Sequence, residues 1–250
     1  MARRASPGNA APALAFTLAT LCSYTMDAAV YLANHGPMIL SPGRKYIFVH
    51  APKTGGTAMA LALEARAKKD DIMLGDTPKA LKRRHRVRDV QTRGRLWKHS
   101  TLADIDGLVP TLDGFFGFTL VRNPWDRMVS YYHWLRAQGF DHPAVALARQ
   151  MDFADFACST HVRASMRASP ARYYMTGASG VEQCDLYIRL EAFEADTAPL
   201  WDHLGFGLEL PLLNASEREP DYPPYYTDAA RTAVAEACAE DIERFGYRFD

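Results

Sequence analysis

Lys53, Gly55, Gly56 and Thr57 fall within one short turn, after the apolar run Tyr46-Ile-Phe-Val-His50 and before an alanine- and leucine-rich stretch. The chemistry this cluster could do is anion binding. A lysine supplies full charge, a threonine supplies a hydroxyl, and backbone amides at a helix N-terminus point at whatever negative group sits there. Two glycines let the backbone approach a ligand closely and adopt positive φ where needed. The order excludes a nucleoside triphosphate loop of the Gly-x-x-x-x-Gly-Lys-Ser/Thr kind, because here the lysine precedes the glycines.

A second cluster lies in Leu120-Val-Arg-Asn-Pro-Trp-Asp-Arg-Met-Val-Ser130. Arg122 ends an apolar run, and Ser130 lies two helical turns past Asn123, on the face that looks back toward Arg122. A guanidinium fork and a hydroxyl make a phosphate clamp. Taken singly, Arg122 could equally be a structural ion-pair residue and Ser130 a serine bonded to its own helix backbone. Two histidines could move a proton at neutral pH, His50 and the His99 of Lys98-His-Ser-Thr101.

The elements that must position these residues follow from hydrophobic periodicity. Strands are expected over 46–50, 115–121 and 186–190, with helices over 57–68, from Asn123 to about Ala137, and through Leu204. Asn123 caps its helix, Pro124 takes the first position and Asp126 the third. Residues 143–157 and 163–176 read as helical or mixed, and 70–98 as polar and irregular. Thr227 caps a last helix with Val234, Cys238, Ile242 and Phe245 on one stripe. Strands alternating with helices imply an α/β fold whose mostly parallel sheet binds ligands beyond its strands' carboxyl ends. Residues 1–43 read as an extension, and 44–250 as one domain.

Lysine plus arginine and aspartate plus glutamate both number 29, so global charge argues for neither nucleic acid nor an anionic membrane. The apolar run from Ala10 to Cys22 is too short for an integral membrane segment. Four scattered cysteines read as reduced thiols.

Together the two clusters, Pro52-Lys-Thr-Gly-Gly-Thr57 and Arg122-Asn-Pro-x-x-Arg-x-x-Ser130, resemble the donor-binding loops of sulfotransferases that use 3′-phosphoadenosine 5′-phosphosulfate (PAPS). The likeness is to the carbohydrate type, related to heparan 2-O- and chondroitin sulfotransferases. Tyr187-Ile-Arg-Leu-Glu-Ala-Phe193, Leu213-Asn-Ala-Ser216 and Asp241-Ile-Glu-Arg-Phe-Gly-Tyr-Arg-Phe249 look like that family's closing elements. The resemblance implies a P-loop NTPase-like three-layer fold, with helices flanking the sheet. It implies that Pro52, Lys53, Thr54, Gly55, Gly56 and Thr57 hold the 5′-phosphosulfate and that Arg122 and Ser130 hold the 3′-phosphate. It implies no metal. His99 stands where the family carries its general base, and Lys53 would stabilise the leaving nucleotide. The acceptor would be a glycan or another hydroxyl-bearing molecule. A chain without the family's Golgi anchor is expected in the cytoplasm, where PAPS is made.

The basic segment that contains Lys82, Arg83, Arg84 and Arg86 is a candidate for steering an acidic acceptor. Glu191 reads as a first-turn acid and Arg218 as an exposed loop residue. Two rivals stand beside the sulfotransferase: a nucleotide-dependent kinase on the same fold, and a binding protein that keeps the pocket without turnover.

Overall fold

Short β-branched and aromatic segments form the centre of the molecule. The computed structural model describes residues 36–211 and 219–250 and pairs these segments into a five-stranded sheet. In chain order the elements are β1 (Met38–Ser41), β2 (Tyr46–Val49), α1 (Gly56–Ala65), β3 (Ile72–Leu74) and α2 (Pro78–Arg83), then β4 (Phe116–Val121) and α3 (Pro124–Arg136). There follow α4 (Pro143–Gln150), α5 (Phe153–Cys158), α6 (Thr160–Ala168), α7 (Ala171–Met175) and β5 (Leu186–Arg189). The chain closes with α8 (Phe193–Asp196), α9 (Ala198–Leu204), α10 (Asp228–Ala237) and α11 (Ala239–Phe245).

The strand order is β3-β1-β2-β4-β5. β2, β4 and β5 pair in parallel, while β1 runs antiparallel to both β2 and β3. β3 therefore points the same way as β2, and the sheet is mostly parallel with one reversed strand. From β2 the chain moves through α1 toward β3; from β4 it moves through α3 toward β5, on the opposite side. The two connections diverge at the carboxyl edge between β2 and β4, which is the crevice where ligands of open α/β sheets bind.

Period-two alternation builds the two faces. Ile39, Tyr46, Phe48 and Phe118 pack with Met59 and Leu63 of α1 and Leu200 of α9. Met38, Leu40, Ile47 and Val49 pack on the other face with Leu102, Ile105, Tyr174 and Met175. A separate cluster joins α3, α4, α5, α6 and α10 through Met128, Tyr132, Ala148, Phe156, Val162 and Val234.

Two strands lie where none was expected. β1 falls inside the segment read as the 1–43 extension, yet Met38, Ile39 and Leu40 are fully buried in the sheet, so the sheet begins before residue 44. β3 interrupts the stretch read as irregular. Its three residues are held by β1 rather than by any local pattern. The last helix divides at Cys238, whose backbone leaves helical geometry, into α10 and α11; Thr227 caps the first of them as expected. Cys158, Cys184 and Cys238 are free thiols, and no described helix is long and apolar enough to cross a membrane. Arg218, the Leu213–Ser216 stretch and the run from Ala10 to Cys22 lie outside the described residues.

Candidate active site

β2 and β4 end side by side, and their register places the turn after Val49 beside the turn after Val121. The first turn is the Lys-Thr-Gly-Gly loop. Gly55 caps α1 with φ of 83°, so it supplies the left-handed residue that the turn needs. Gly56 serves a different purpose: a Cβ there would stand 2.3 Å from Cδ2 of the buried His50 ring. Lys53 itself adopts φ of 65°, a conformation that costs an L-residue about 1 kcal/mol and that the surrounding loop must enforce. Thr54 is buried, and its hydroxyl donates to the Ala51 carbonyl at 2.9 Å, so its side chain braces the turn.

Two arginines hold this loop from the neighbouring motif. Arg127 Nε donates to the Pro52 carbonyl at 3.0 Å, and Arg122 Nη1 reaches the Lys53 carbonyl at 3.4 Å. In a trans peptide the N–H points opposite the C=O. The amides of Lys53 and Thr54 therefore turn away from the two guanidinium groups, as an anion-binding turn requires. Arg122 is also fixed by Asp126, through Nε at 2.7 Å and Nη2 at 2.6 Å.

α3 presents Asp126, Ser130 and Trp134 at four-residue intervals, hence on one face. Asp126 meets Arg122 at one end of that face. At the other, Lys53 Nζ stands 5.4 Å from the Trp134 ring centroid. Ser130 lies between the two contacts, so it faces the loop beside Arg122. The start of α3 is locked as well. Asn123 caps Trp125 N at 3.1 Å, its own amide donates to Glu191 Oε1 at 2.6 Å, and its Nδ2 donates to the Arg248 carbonyl at 2.9 Å. Glu191 thus ties the end of β5 to the end of β4 and is more than a helix-start acid.

His99 reaches the site from a loop. Its Nδ1 lies 2.6 Å from the His50 carbonyl, and a carbonyl only accepts, so Nδ1 carries the proton and Nε2 the lone pair. His50 is fixed in the same way by the Gly36 carbonyl at 2.8 Å. The rings meet edge-on at 4.6 Å. Burial, above all, lowers His50 to about 4 against an opposing pull from the Gly36 bond. Burial again comes first for His99, held well below the usual histidine range, with the charges of His50, Lys98 and Lys53 adding to it. Both imidazoles are neutral at pH 7. Lys53 and Lys98 lie close enough to act on both rings, so donor loop and candidate base share one electrostatic environment.

Two arginines of the basic segment turn onto the backbone. Arg83 Nη1 donates to the Lys68 and Asp71 carbonyls at 2.9 and 3.2 Å, and Arg86 Nη1 donates to Lys69 and Asp71 at 2.5 and 3.2 Å. Asp71 precedes β3, whereas the donor loop lies beyond the strands' other ends, about 10 Å along the sheet. These arginines secure the chain between α1 and β3. Arg84 pairs with Asp76 at 3.3 Å, and Lys82 is exposed.

Sequence reasoning missed Arg127 and Trp134, and it read Glu191, which could hydrogen-bond near the site, as a first-turn acid instead. Arg127 stood inside the motif as its second arginine, a visible signal. Glu191 stood in the Tyr187–Phe193 segment, though its bond to Asn123 was not legible there, and Trp134 had no signal, because its partner is distant in sequence.

The fold is of the α/β type, with a strand-turn-helix after β2 and an arginine-bearing helix start at the adjacent end of β4. The chain belongs to the sulfotransferase family, whose model matches residues 37–168, just over half of it. Members of that family draw the sulfuryl group from PAPS, and this chain is such an enzyme. No curated protein matches it. Among solved structures, mouse sulfotransferase SULT7A1 complexed with PAP is 16% identical, over 87% of this chain and 89% of that chain, with a TM-score of 0.42.

Proposed function

We propose that the enzyme transfers the sulfuryl group of PAPS to a carbohydrate hydroxyl, with His99 as general base. The observation that carries this reading is the His99 Nδ1 bond to the His50 carbonyl at 2.6 Å. It leaves Nε2 unprotonated and fixes the ring from behind. The main chain that holds His99 leads directly, through Ala51 and Pro52, into the donor loop.

In this reading Lys53 and the amides of residues 53–57 hold the 5′-phosphosulfate, and Arg122 and Ser130 hold the 3′-phosphate. His99 Nε2 takes the acceptor proton as the acceptor oxygen forms its bond to sulfur. The bond from sulfur to the bridging oxygen breaks on the opposite side, and Lys53 stabilises the charge gained by that oxygen. An imidazole held low by burial and two lysines is a weak base. The negative charge of the donor offsets that field and raises its proton affinity. The domain we assign to this activity begins before Met38 and runs to the last described residue.

The test is incubation with labelled PAPS and a glycan library in EDTA, beside ATP with magnesium. Label on a glycan from PAPS alone supports the reading. Transfer from ATP, or tight binding of 3′-phosphoadenosine 5′-phosphate (PAP) with no turnover on any acceptor, contradicts it.

A further inference from the structure

We infer that Trp97 and Arg95 form the acceptor subsite, which takes an anionic pyranose. The sugar lays its C–H face on the Trp97 indole, Arg95 holds its carboxylate or sulfate group, and a ring hydroxyl is thereby delivered to His99. The inference rests on His99 being the base, and it relocates acceptor recognition from the Lys82–Arg86 segment to the turn that carries the base itself.

Three observations converge on this turn. Trp97 is 44% exposed, although it is the side chain with the most apolar surface to hide. Its ring stands edge-on to His99, with centroids 5.1 Å apart, so whatever rests on the indole is next to the imidazole. The exposure is not that of a loose loop. Ser100 is fully buried; its Oγ accepts the Trp97 N–H at 2.9 Å and lies 2.9 Å from the carbonyls of both Arg95 and Trp97, to one of which its proton goes. The Trp97 carbonyl also accepts the Ser100 N–H at 3.1 Å. An indole fixed by its backbone in an exposed position loses little entropy when a ligand stacks on it.

Arg95 supplies the charge preference. Its guanidinium carbon lies over the Trp97 ring, 6.0 Å from the centroid, and the side chain is exposed and long enough to move to the ring's edge when a sugar stacks. A planar fork beside an aromatic platform suits a carboxylate or sulfate carried on the stacked ring. The π face is negative and a pyranose presents a row of weakly positive C–H groups, so the stacking has the right electrostatic sense.

The experiment compares wild type, Trp97→Ala, Trp97→Phe and Arg95→Ala at saturating PAPS. The acceptors are a uronate-containing oligosaccharide, its carboxyl-reduced counterpart and a simple phenol. PAP affinity is measured by calorimetry on each variant. Trp97→Ala raises the KM of both sugars by about tenfold or more, with PAP affinity within about twofold of wild type. Trp97→Phe restores part of the loss, and Arg95→Ala raises KM for the uronate alone. An unchanged sugar KM in Trp97→Ala overturns the subsite. So does an Arg95→Ala effect equal on acid and reduced sugars, or a wild type that sulfates the phenol and neither sugar. The base assignment fails separately: His99→Asn that keeps turnover removes it, while the KM pattern of Trp97→Ala is read on its own.

Discussion

The carbonyl oxygen of His50 accepts the Nδ1 proton of His99 at 2.6 Å, which joins the residue that follows β2 to the candidate base. His50 in turn is held by Gly36 and packs its ring on Gly56. Contacts thus run from Gly36, just before β1, through the His50 imidazole to the first turn of α1, with His99 held on the His50 carbonyl. Loop shape and proton acceptor are set by one structure.

The buried His50 makes stability depend on pH. Its imidazole is lowered to about 4 in the folded protein, while in the unfolded chain it titrates near its ordinary value of 6.5. Above pH 6.5 both states are neutral and the full stability is present. As pH falls toward 4, the unfolded state takes a proton that the folded state refuses, and about 3 kcal/mol is lost from this group. Asparagine at this position keeps a donor for the Gly36 carbonyl without a titrating ring. Thermal melts between pH 7 and pH 4.5 should show a shallower loss of Tm in His50→Asn than in wild type; parallel curves contradict the assignment.

Gly56 is required by the His50 ring and not by its own backbone angle. In Gly56→Ala the new methyl meets Cδ2 at 2.3 Å, against a side chain with no room to withdraw. Overpacking of this kind costs about 1–3 kcal/mol. Denaturant melts should register that loss, and PAP affinity should fall with it because the displaced ring borders the loop. In the double variant Gly56→Ala, His50→Asn the smaller side chain returns part of both. A double variant no better than the single one points to a cause other than this contact.

Much of this was legible in the sequence, for a physical reason. β2, β4 and the start of α3 are specified by neighbours in the chain: a β-branched run, then Asn, Pro and Asp in capping order. β1 and β3 are not. β1 is set by pairing with β2 on one side and β3 on the other, and the three residues of β3 by pairing with β1. The same distinction governs the site. Lys53 through Thr57 and Arg122 through Ser130 are contiguous motifs, whereas the bond between His99 and His50 spans 49 residues. Charge alone does not say how the basic segment packs: a run of arginines gives no sign that Arg83 and Arg86 turn inward onto backbone carbonyls.

Arg122 and Ser130 are assigned to the 3′-phosphate, so their removal should weaken ligands that carry it more than ligands that lack it. Arg122→Ala removes charge-assisted hydrogen bonds worth about 1.5–3 kcal/mol, which raises the Kd for PAP by about 10- to 150-fold. Ser130→Ala costs a neutral hydrogen bond and raises Kd by about tenfold or less. The control ligand is adenosine 5′-phosphate, which lacks the 3′ group; it should change little in Ser130→Ala, and in Arg122→Ala, which also loses the brace on the Lys53 carbonyl, it should lose less than PAP does. Equal losses for both nucleotides would place these residues elsewhere on the ligand.

The central claim is that His99 takes the acceptor proton in transfer from PAPS, and His99→Asn tests it most directly. Asparagine retains a donor for the His50 carbonyl and lacks the basic nitrogen, so it removes the chemistry and keeps the scaffold. With labelled PAPS and the best glycan acceptor of wild type, kcat should fall by about 10²- to 10⁴-fold, with PAP affinity measured by calorimetry unchanged. Turnover near the wild-type rate in His99→Asn contradicts the account.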